Sequence, residues 1–168
     1  MTTTEIVFLV VVLICILLSG YFSATETAFT AINKIRLRAK AEDGDKGAKR
    51  VLKLADNYDR LLTTILIGNN VVNILASSLF TLLLIALIPQ NEGLATTLST
   101  VILTVVVLIF GERTPKVLAK EFPEGFARFA APTINLLAWI LFPFTLLFGL
   151  WKKLLLKIFK HKEDNAIT

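Results

Sequence analysis

Long apolar runs alternate with short polar segments along this chain, and the lengths of the runs predict its architecture. The second run, residues 61–88, would form a helix of about 42 Å, longer than the roughly 30 Å hydrocarbon core of a bilayer. Comparable runs follow a Thr-rich start and a polar turn at 89–93. We therefore predict an all-α integral membrane protein with three transmembrane helices per subunit, at about 5–28, 61–88 and 94–115.

The segment between the first two runs, residues 33–60, is rich in charge and is predicted to lie outside the membrane. A break at residues 43–45 separates two short helical patterns, which is typical of a helical hairpin. Another apolar stretch follows the third run and is interrupted by Pro132 and Pro143. We expect this stretch to form a juxtamembrane or re-entrant belt helix at about 124–160.

The uneven distribution of basic residues predicts the orientation. Of the 18 Lys and Arg residues, nine lie within 33–60, four within 113–128 and five in the tail after residue 151. By the positive-inside rule the N-terminus lies outside, and all three basic segments, with the C-terminus, are cytoplasmic in a cell membrane. A fourth full span would put positive charge on both faces, so the Pro-broken stretch is not expected to cross. The alternative is an ordinary fourth helix kinked by proline.

Composition argues against several other classes of protein. The chain is 55% hydrophobic with a mean hydropathy of +0.70, which is too apolar for a soluble domain of 168 residues. One cysteine and one histidine argue against a disulfide framework and against a Cys- or His-ligated zinc or iron centre. The net charge of +5 is better explained by anionic lipids at the basic cytoplasmic face than by nucleic acid, which is not expected as a partner.

Each predicted span carries polar side chains near its cytoplasmic end. Counted from the outer end at 1.5 Å per residue, Ser23 lies about 26 Å along the first helix and Glu112 about 27 Å along the third. Asn73 and Asn69 lie about 22 Å and 28 Å along the second. Hydroxyl, amide and carboxylate oxygens without imidazole or thiolate suit Mg²⁺ or Na⁺. The alternative is hydrogen-bonded helix packing, which explains Glu112 poorly.

The segment after the third run, residues 110–116, offers a second kind of ligand. Pro115 has no amide hydrogen, so a carbonyl one turn earlier, near Gly111, loses its helical partner. A carboxylate such as Glu112 is costly inside a membrane and is by default a functional group. The alternative is a helix that leaves the membrane at a Gly, a charged pair and a Pro.

Three motifs together resemble those of one family. Ser-x-x-Glu-x-Ala at residues 23–28, Gly-Asn-x-x-x-Asn at 68–73 and Gly-Glu-x-x-Pro-Lys at 111–116 look like the transmembrane domain of the CorC/CNNM magnesium transporters. The resemblance covers nearly all of residues 1–168, and it implies a homodimer with an inward-open cavity that holds one Mg²⁺. It implies Mg²⁺ efflux, driven in several members by Na⁺ entry. It also implies nucleotide-binding CBS domains and a further cytoplasmic domain outside this chain, so we expect a piece of a longer protein.

The resemblance assigns roles to individual residues. The expected metal ligands are Ser23, Asn73, Glu112 and the backbone near Gly111. A second tier, which would shape the cavity or a Na⁺ site, comprises Glu26, Asn69, Asn70 and Pro115. Arg113 replaces a residue that is commonly apolar in the family. Its guanidinium could pair with Glu112 and weaken metal binding, unless its long stem extends toward the cytoplasm.

Two functional alternatives stay open. A channel-like conductor would use the same ligands, but its flux would not respond to a Na⁺ gradient. A membrane sensor or scaffold would bind Mg²⁺ without moving it. An enzyme is not expected, because the sequence offers an intramembrane hydrolase only Glu26 and Glu112 as a dyad.

Overall fold

Helices account for nearly all of the structure. The computed structural model describes the backbone of residues 1–167 and the side chains of residues 1–163 and 165. No strand occurs within residues 1–167, which confirms the all-α class. In chain order the helices are α1 (Thr3–Ala31), α2 (Lys34–Glu42), α3 (Lys46–Asp56), α4 (Tyr58–Leu87), α5 (Glu92–Val106), a π-helical segment (Val107–Arg113), α6 (Thr114–Glu121), α7 (Pro123–Ile140) and α8 (Phe142–Ile167).

Three of these elements are long and apolar enough to cross a membrane. They are α1, α4 and a continuous helix, Glu92–Glu121, that combines α5, the π-helical segment and α6. Many large apolar side chains on them are exposed, with Leu17 at 74% and Ile74 at 67%, as expected for helices that face lipid. The chain is therefore a multi-pass membrane protein.

Helix α1 packs against both other spans, running antiparallel to α4 and parallel to Glu92–Glu121. The hydroxyl of Thr30, near the end of α1, lies 3.3 Å from that of Tyr58 at the start of α4. About three turns deeper on both helices, Ser19 of α1 contacts Asn69 of α4. Helices α2 and α3, which lie in the basic segment 33–60, connect the C-terminus of α1 to the N-terminus of α4. We call this side of the bundle the basic face.

Helices α2 and α3 pack against each other, and α3 also packs on α7 beside the basic face. Small side chains dominate this contact, which lets the helix axes approach closely. The members of the buried core cluster on these helices are Leu37 and Ala41 of α2, Ala48, Val51 and Ala55 of α3, and Ala127, Ala130, Ala131 and Ile134 of α7.

A cluster of ion pairs joins the same helices. The Arg128 guanidinium donates to both carboxylate oxygens of Asp45, at 3.0 and 2.7 Å, and to Glu124 at 3.2 Å. Lys40 donates to the same Glu124 oxygen. Hydrogen bonding from Arg128, supported by the amide of Ala48, holds the pKa of the Asp45 carboxyl at about 2. Asp45 therefore stays ionised at a more acidic pH than an ordinary aspartate, which preserves its ion pair with Arg128 of α7 there.

The stretch after the third span, predicted as a Pro-broken belt helix at about 124–160, forms two helices, α7 and α8. Pro132 lies inside α7 without ending it. The chain instead bends by 71° between α7 and α8. The break falls at Leu141, which places Pro143 in the first turn of α8, where the missing amide hydrogen of a proline costs no helical hydrogen bond. This pair of helices forms either a broken span or a re-entrant segment.

The close approach of α1 and α4 depends on Gly68. A Cβ atom added to Gly68 would lie 2.5 Å from Cζ of Phe22, whose ring is buried. We expect Gly68→Ala to lower the free energy of unfolding by about 1–3 kcal/mol, because the added methyl overpacks this contact. Denaturant unfolding in detergent would measure the change. The matched control is Gly125→Ala, where nothing lies within 4 Å of an added Cβ. That control should be neutral or stabilising, and an equal loss in both variants would refute the packing argument.

Candidate functional site: a buried polar cluster between the spans

The polar cluster is centred on Ser19, which is completely buried on α1. Its hydroxyl donates a hydrogen bond to Oδ1 of Asn69 on α4, at 3.0 Å. Nδ2 of Asn73, one turn further along α4, approaches the same Asn69 oxygen at 3.4 Å. Asn69 thus accepts from two donors, and its orientation is set by residues on both helices.

The third span reaches the same serine through Gly111. A Cβ atom on Gly111 would lie 3.0 Å from Oγ of Ser19. A side chain at this position would therefore require the Ser19 hydroxyl or the third span to shift. Ser19, Asn69 and Gly111 lie at one depth, so all three spans meet here.

The π-helical segment releases a carbonyl at this level. The amide of Thr114 donates to the carbonyl of Ile109, five residues earlier, instead of to Phe110 as in an α-helix. Pro115, the corresponding partner for Phe110 in a π-helix, has no amide hydrogen. The Phe110 carbonyl oxygen lies against α1, 3.3 Å from the position of an added Cβ on Gly20. A free carbonyl was expected near Gly111, and the structure provides one at the neighbouring residue.

Asn73 carries a polar atom without a partner. Its Oδ1 is buried and accepts no hydrogen bond within the protein. Buried amide oxygens are nearly always satisfied, so this oxygen calls for a donor or a cation that is not part of the polypeptide. Its lone pairs are available for a ligand, whereas those of Asn69 already serve Ser19 and Asn73.

A cavity of about 280 Å³ adjoins Asn69 on the side of the basic face. Glu26, Thr63 and Asn69 line it with oxygen, and Leu62, Ile65 and Leu66 form its apolar wall. Glu26 is half-buried and forms no ion pair within the described part of the chain. Its carboxylate lies where a cation moving from the basic face toward Asn69 would pass.

The other predicted residues lie around this cluster. Ser23 is buried one turn beyond Ser19, and Asn70 is exposed. Pro115 packs against Gly20. Glu112 is half-buried and lines a separate groove with Leu108, Ile109, Arg113 and Lys116.

Glu112 is not joined to the cluster by a direct contact. Among the described side chains, no hydrogen bond or ion pair connects it to Ser23, Asn69 or Asn73. Arg113 is exposed and forms no ion pair with it either. The polar groups that meet around Ser19 are its own hydroxyl, the side-chain amides of α4 and the backbone of the third span. The described residues contain no group of three His, Cys, Asp or Glu side chains placed to hold a metal.

Sequence reasoning missed Ser19 and Gly20. A signal was present, since Ser19 precedes Ser23 by four residues and therefore lies on the same helical face. The close contact at Gly20 could not be read from the sequence, because it depends on the π-helical geometry of the facing span.

These features define a class: an α-helical multi-pass membrane protein whose three spans converge on a buried polar cluster beside an oxygen-lined cavity. Residues 10–168 match the family described as CNNM, the Cyclin M transmembrane N-terminal domain. The chain belongs to this family, which confirms the resemblance drawn from its three motifs.

Relatives share the domain within longer proteins. A UPF0053 protein of Haemophilus influenzae is 39% identical over 155 residues, covering 92% of this chain and 36% of the relative. The UPF0053 inner membrane protein YfjD of Escherichia coli K12 is 38% identical over 151 residues, covering 90% and 35%. The polyamine export protein of Escherichia coli K12 is 37% identical over 67 residues, covering 40% and 15%. The chain thus spans about a third of the length of the first two relatives.

Proposed function

We propose that this domain exports Mg²⁺ across the cell membrane through the polar cluster around Ser19, in exchange for Na⁺. The observation that carries the proposal is the buried, unpartnered Oδ1 of Asn73 beside Asn69 and Ser19. Membership of the CNNM family supports a role in transport rather than in catalysis.

The donor set suits a hard cation. Mg²⁺ prefers six oxygen ligands and gives up its water reluctantly, so direct protein oxygens must offset the loss of hydration. Asn73 Oδ1 and the Phe110 carbonyl are neutral oxygens that lack partners. Ser23 and the backbone at Gly111 are further candidates within a turn. Neutral oxygens alone hold a divalent ion weakly, which favours release over storage.

Two carboxylates at the edge of the polar cluster attract the cation electrostatically. Glu26 lines the cavity that adjoins Asn69, and Glu112 lies next to Gly111 on the third span. In the proposed cycle Mg²⁺ enters from the basic face past Glu26 and loses water at Asn73. Glu112 then approaches the ion as the third span moves against α1, and the ion leaves on the opposite side. The π-helical segment is suited to this movement, because it already departs from the regular hydrogen-bonding pattern.

The basic face is proposed to be cytoplasmic. Residues 33–60 carry nine basic residues, and anionic lipid would hold this side of the domain. The N-terminus then lies outside. A homodimer is proposed as the working unit, with regulation by nucleotide through cytoplasmic domains that lie beyond this chain.

Replacing Asn73 tests the transport site directly. We expect Asn73→Ala to reduce Mg²⁺ efflux from Mg²⁺-loaded proteoliposomes at least tenfold, because it removes the free acceptor and a hydrogen bond to Asn69. Asn70→Ala is the matched control, since the adjacent amide is exposed, and it should keep efflux near the wild-type rate. Glu112→Gln should also abolish efflux while Arg113→Gln keeps it.

Equal activity of Asn73→Ala and Asn70→Ala would refute the site. Efflux that is independent of an opposing Na⁺ gradient would refute exchange and indicate a channel-like conductor. Mg²⁺ binding without any efflux would indicate a sensor. Spermidine efflux should be measured in parallel, because one relative is named a polyamine export protein.

Cysteine labelling tests the orientation and the path of α7 and α8. In a Cys15→Ala background, a cysteine at Gln90 should react with a membrane-impermeant maleimide from outside intact cells. Cysteines at Lys53 and Lys160 should react only after the cells are opened, because both positions are proposed to be cytoplasmic. Labelling of Lys160→Cys from outside would show that α7 and α8 form a fourth span.

A further inference from the structure

Arg60, the third residue of α4, is a charged side chain that the proposed transport path does not use. Its Nε and Nη2 atoms are buried and have no hydrogen-bond partner. No carboxylate forms an ion pair with it among the described side chains. Asp59 lies next to it in sequence but pairs with Lys152 of α8, at 3.2 Å. A guanidinium with unused donors at this depth calls for an anion.

The surroundings of Arg60 hold its guanidinium in place without satisfying it. Its Cζ atom lies 5.4 Å from the ring centre of Trp139 and 5.9 Å from that of Phe142. These two residues flank the 71° bend between α7 and α8. Stacking on an aromatic ring uses the face of a guanidinium, whereas its N–H groups point outward in the plane. The bend therefore positions Arg60: its Nε and Nη2 atoms are covered and unsatisfied, and Nη1 is the nitrogen left to face a ligand.

A cavity of about 500 Å³ adjoins Arg60 between α4 and α8. Lys152 adds a second positive charge to its wall, and Phe142, Phe148 and Leu62 supply apolar surface. The hydroxyls of Thr63 and Thr145 also line it, but both already donate to carbonyls of their own helices. The charged donors in this wall are Arg60 and Lys152, which also pairs with Asp59, and the amide of Asn57 lines the cavity beside them.

We propose that this cavity binds the phosphate group of an anionic phospholipid. A guanidinium and an ammonium in the wall of one cavity suit a phosphate, whose oxygens accept charge-assisted hydrogen bonds from both groups. The cavity lies where α4 enters the membrane at the basic face, and basic pockets between helices at that level bind lipid headgroups. The apolar wall suits the acyl chains of a lipid and would offer nothing to free inorganic phosphate. Bound lipid would link the start of α4 to the α7–α8 bend.

The test compares lipid-dependent stability in nanodiscs. We expect the wild-type Tm to rise when phosphatidylglycerol is added to phosphatidylcholine, with saturation at a low lipid ratio. Arg60→Gln and Lys152→Gln should each raise the phosphatidylglycerol ratio needed for half of the Tm increase about tenfold, as expected for the loss of a charged hydrogen bond. Lys153→Gln is the matched control, because it removes the same charge one residue away and does not line the cavity. Asp59→Asn should strengthen binding, since it frees Lys152.

Circular dichroism in phosphatidylcholine alone shows whether each variant folds. If Arg60→Gln does not fold, the comparison of Lys152→Gln with Lys153→Gln decides the test. Equal weakening by Lys152→Gln and Lys153→Gln would overturn the site, because it would indicate a general surface charge effect. Saturable stabilisation by inorganic phosphate in neutral nanodiscs would overturn the assignment to lipid. Mg²⁺ efflux in neutral proteoliposomes is measured separately, so failure of this site leaves the transport proposal intact.

Discussion

The hydrogen bond from Ser19 to Asn69 is the constraint on which the arrangement of the spans depends. A serine that is completely buried among transmembrane helices must find its partner within the protein, and the nearest acceptor on the facing helix is the Asn69 amide. Forming this bond sets the relative depth of α1 and α4. Gly111 then fits against the same hydroxyl and sets the depth of the third span. The polar cluster and the packing of the bundle are therefore one structural feature.

The π-helical segment converts this packing into chemistry. A regular α-helix through Val107–Arg113 would turn its carbonyls along the helix axis and leave only the carbonyl opposite Pro115 unpaired. The wider turn moves the loss to Phe110, whose carbonyl faces Gly20 on α1. Glycines on both sides of the contact allow the backbones to approach. The result is a group of neutral oxygens, with carboxylates on the adjacent turns and on the cavity wall, and the proposed cation site rests on this arrangement.

Much of this fold follows from the sequence, because hydropathy and charge act through length and position alone. The three spans, the charged connection between the first two and the cluster of motifs near one depth are all of this kind. Ser19 as the centre of the cluster, the cavity beside Glu26 and the position of Glu112 in a separate groove depend on helix rotation. Rotation is set by contacts such as Phe22 against Gly68, which no periodic pattern encodes. The bend at Leu141 shows the same limit, since Pro132 and Pro143 look alike in sequence and only one lies at a break.

A double-mutant cycle on Ser19 and Asn69, followed by the Mg²⁺-dependent rise in Tm, tests whether their hydrogen bond builds the cation site. A bound ion stabilises the folded state by mass action, so a formed site must raise Tm as Mg²⁺ is added. The account predicts that Ser19→Ala and Asn69→Ala each remove most of this rise, and that the double variant loses no more than either. Ser77→Ala, an exposed serine on α4, should leave the rise unchanged. A full Mg²⁺ response in Ser19→Ala, or losses that simply add, would contradict it.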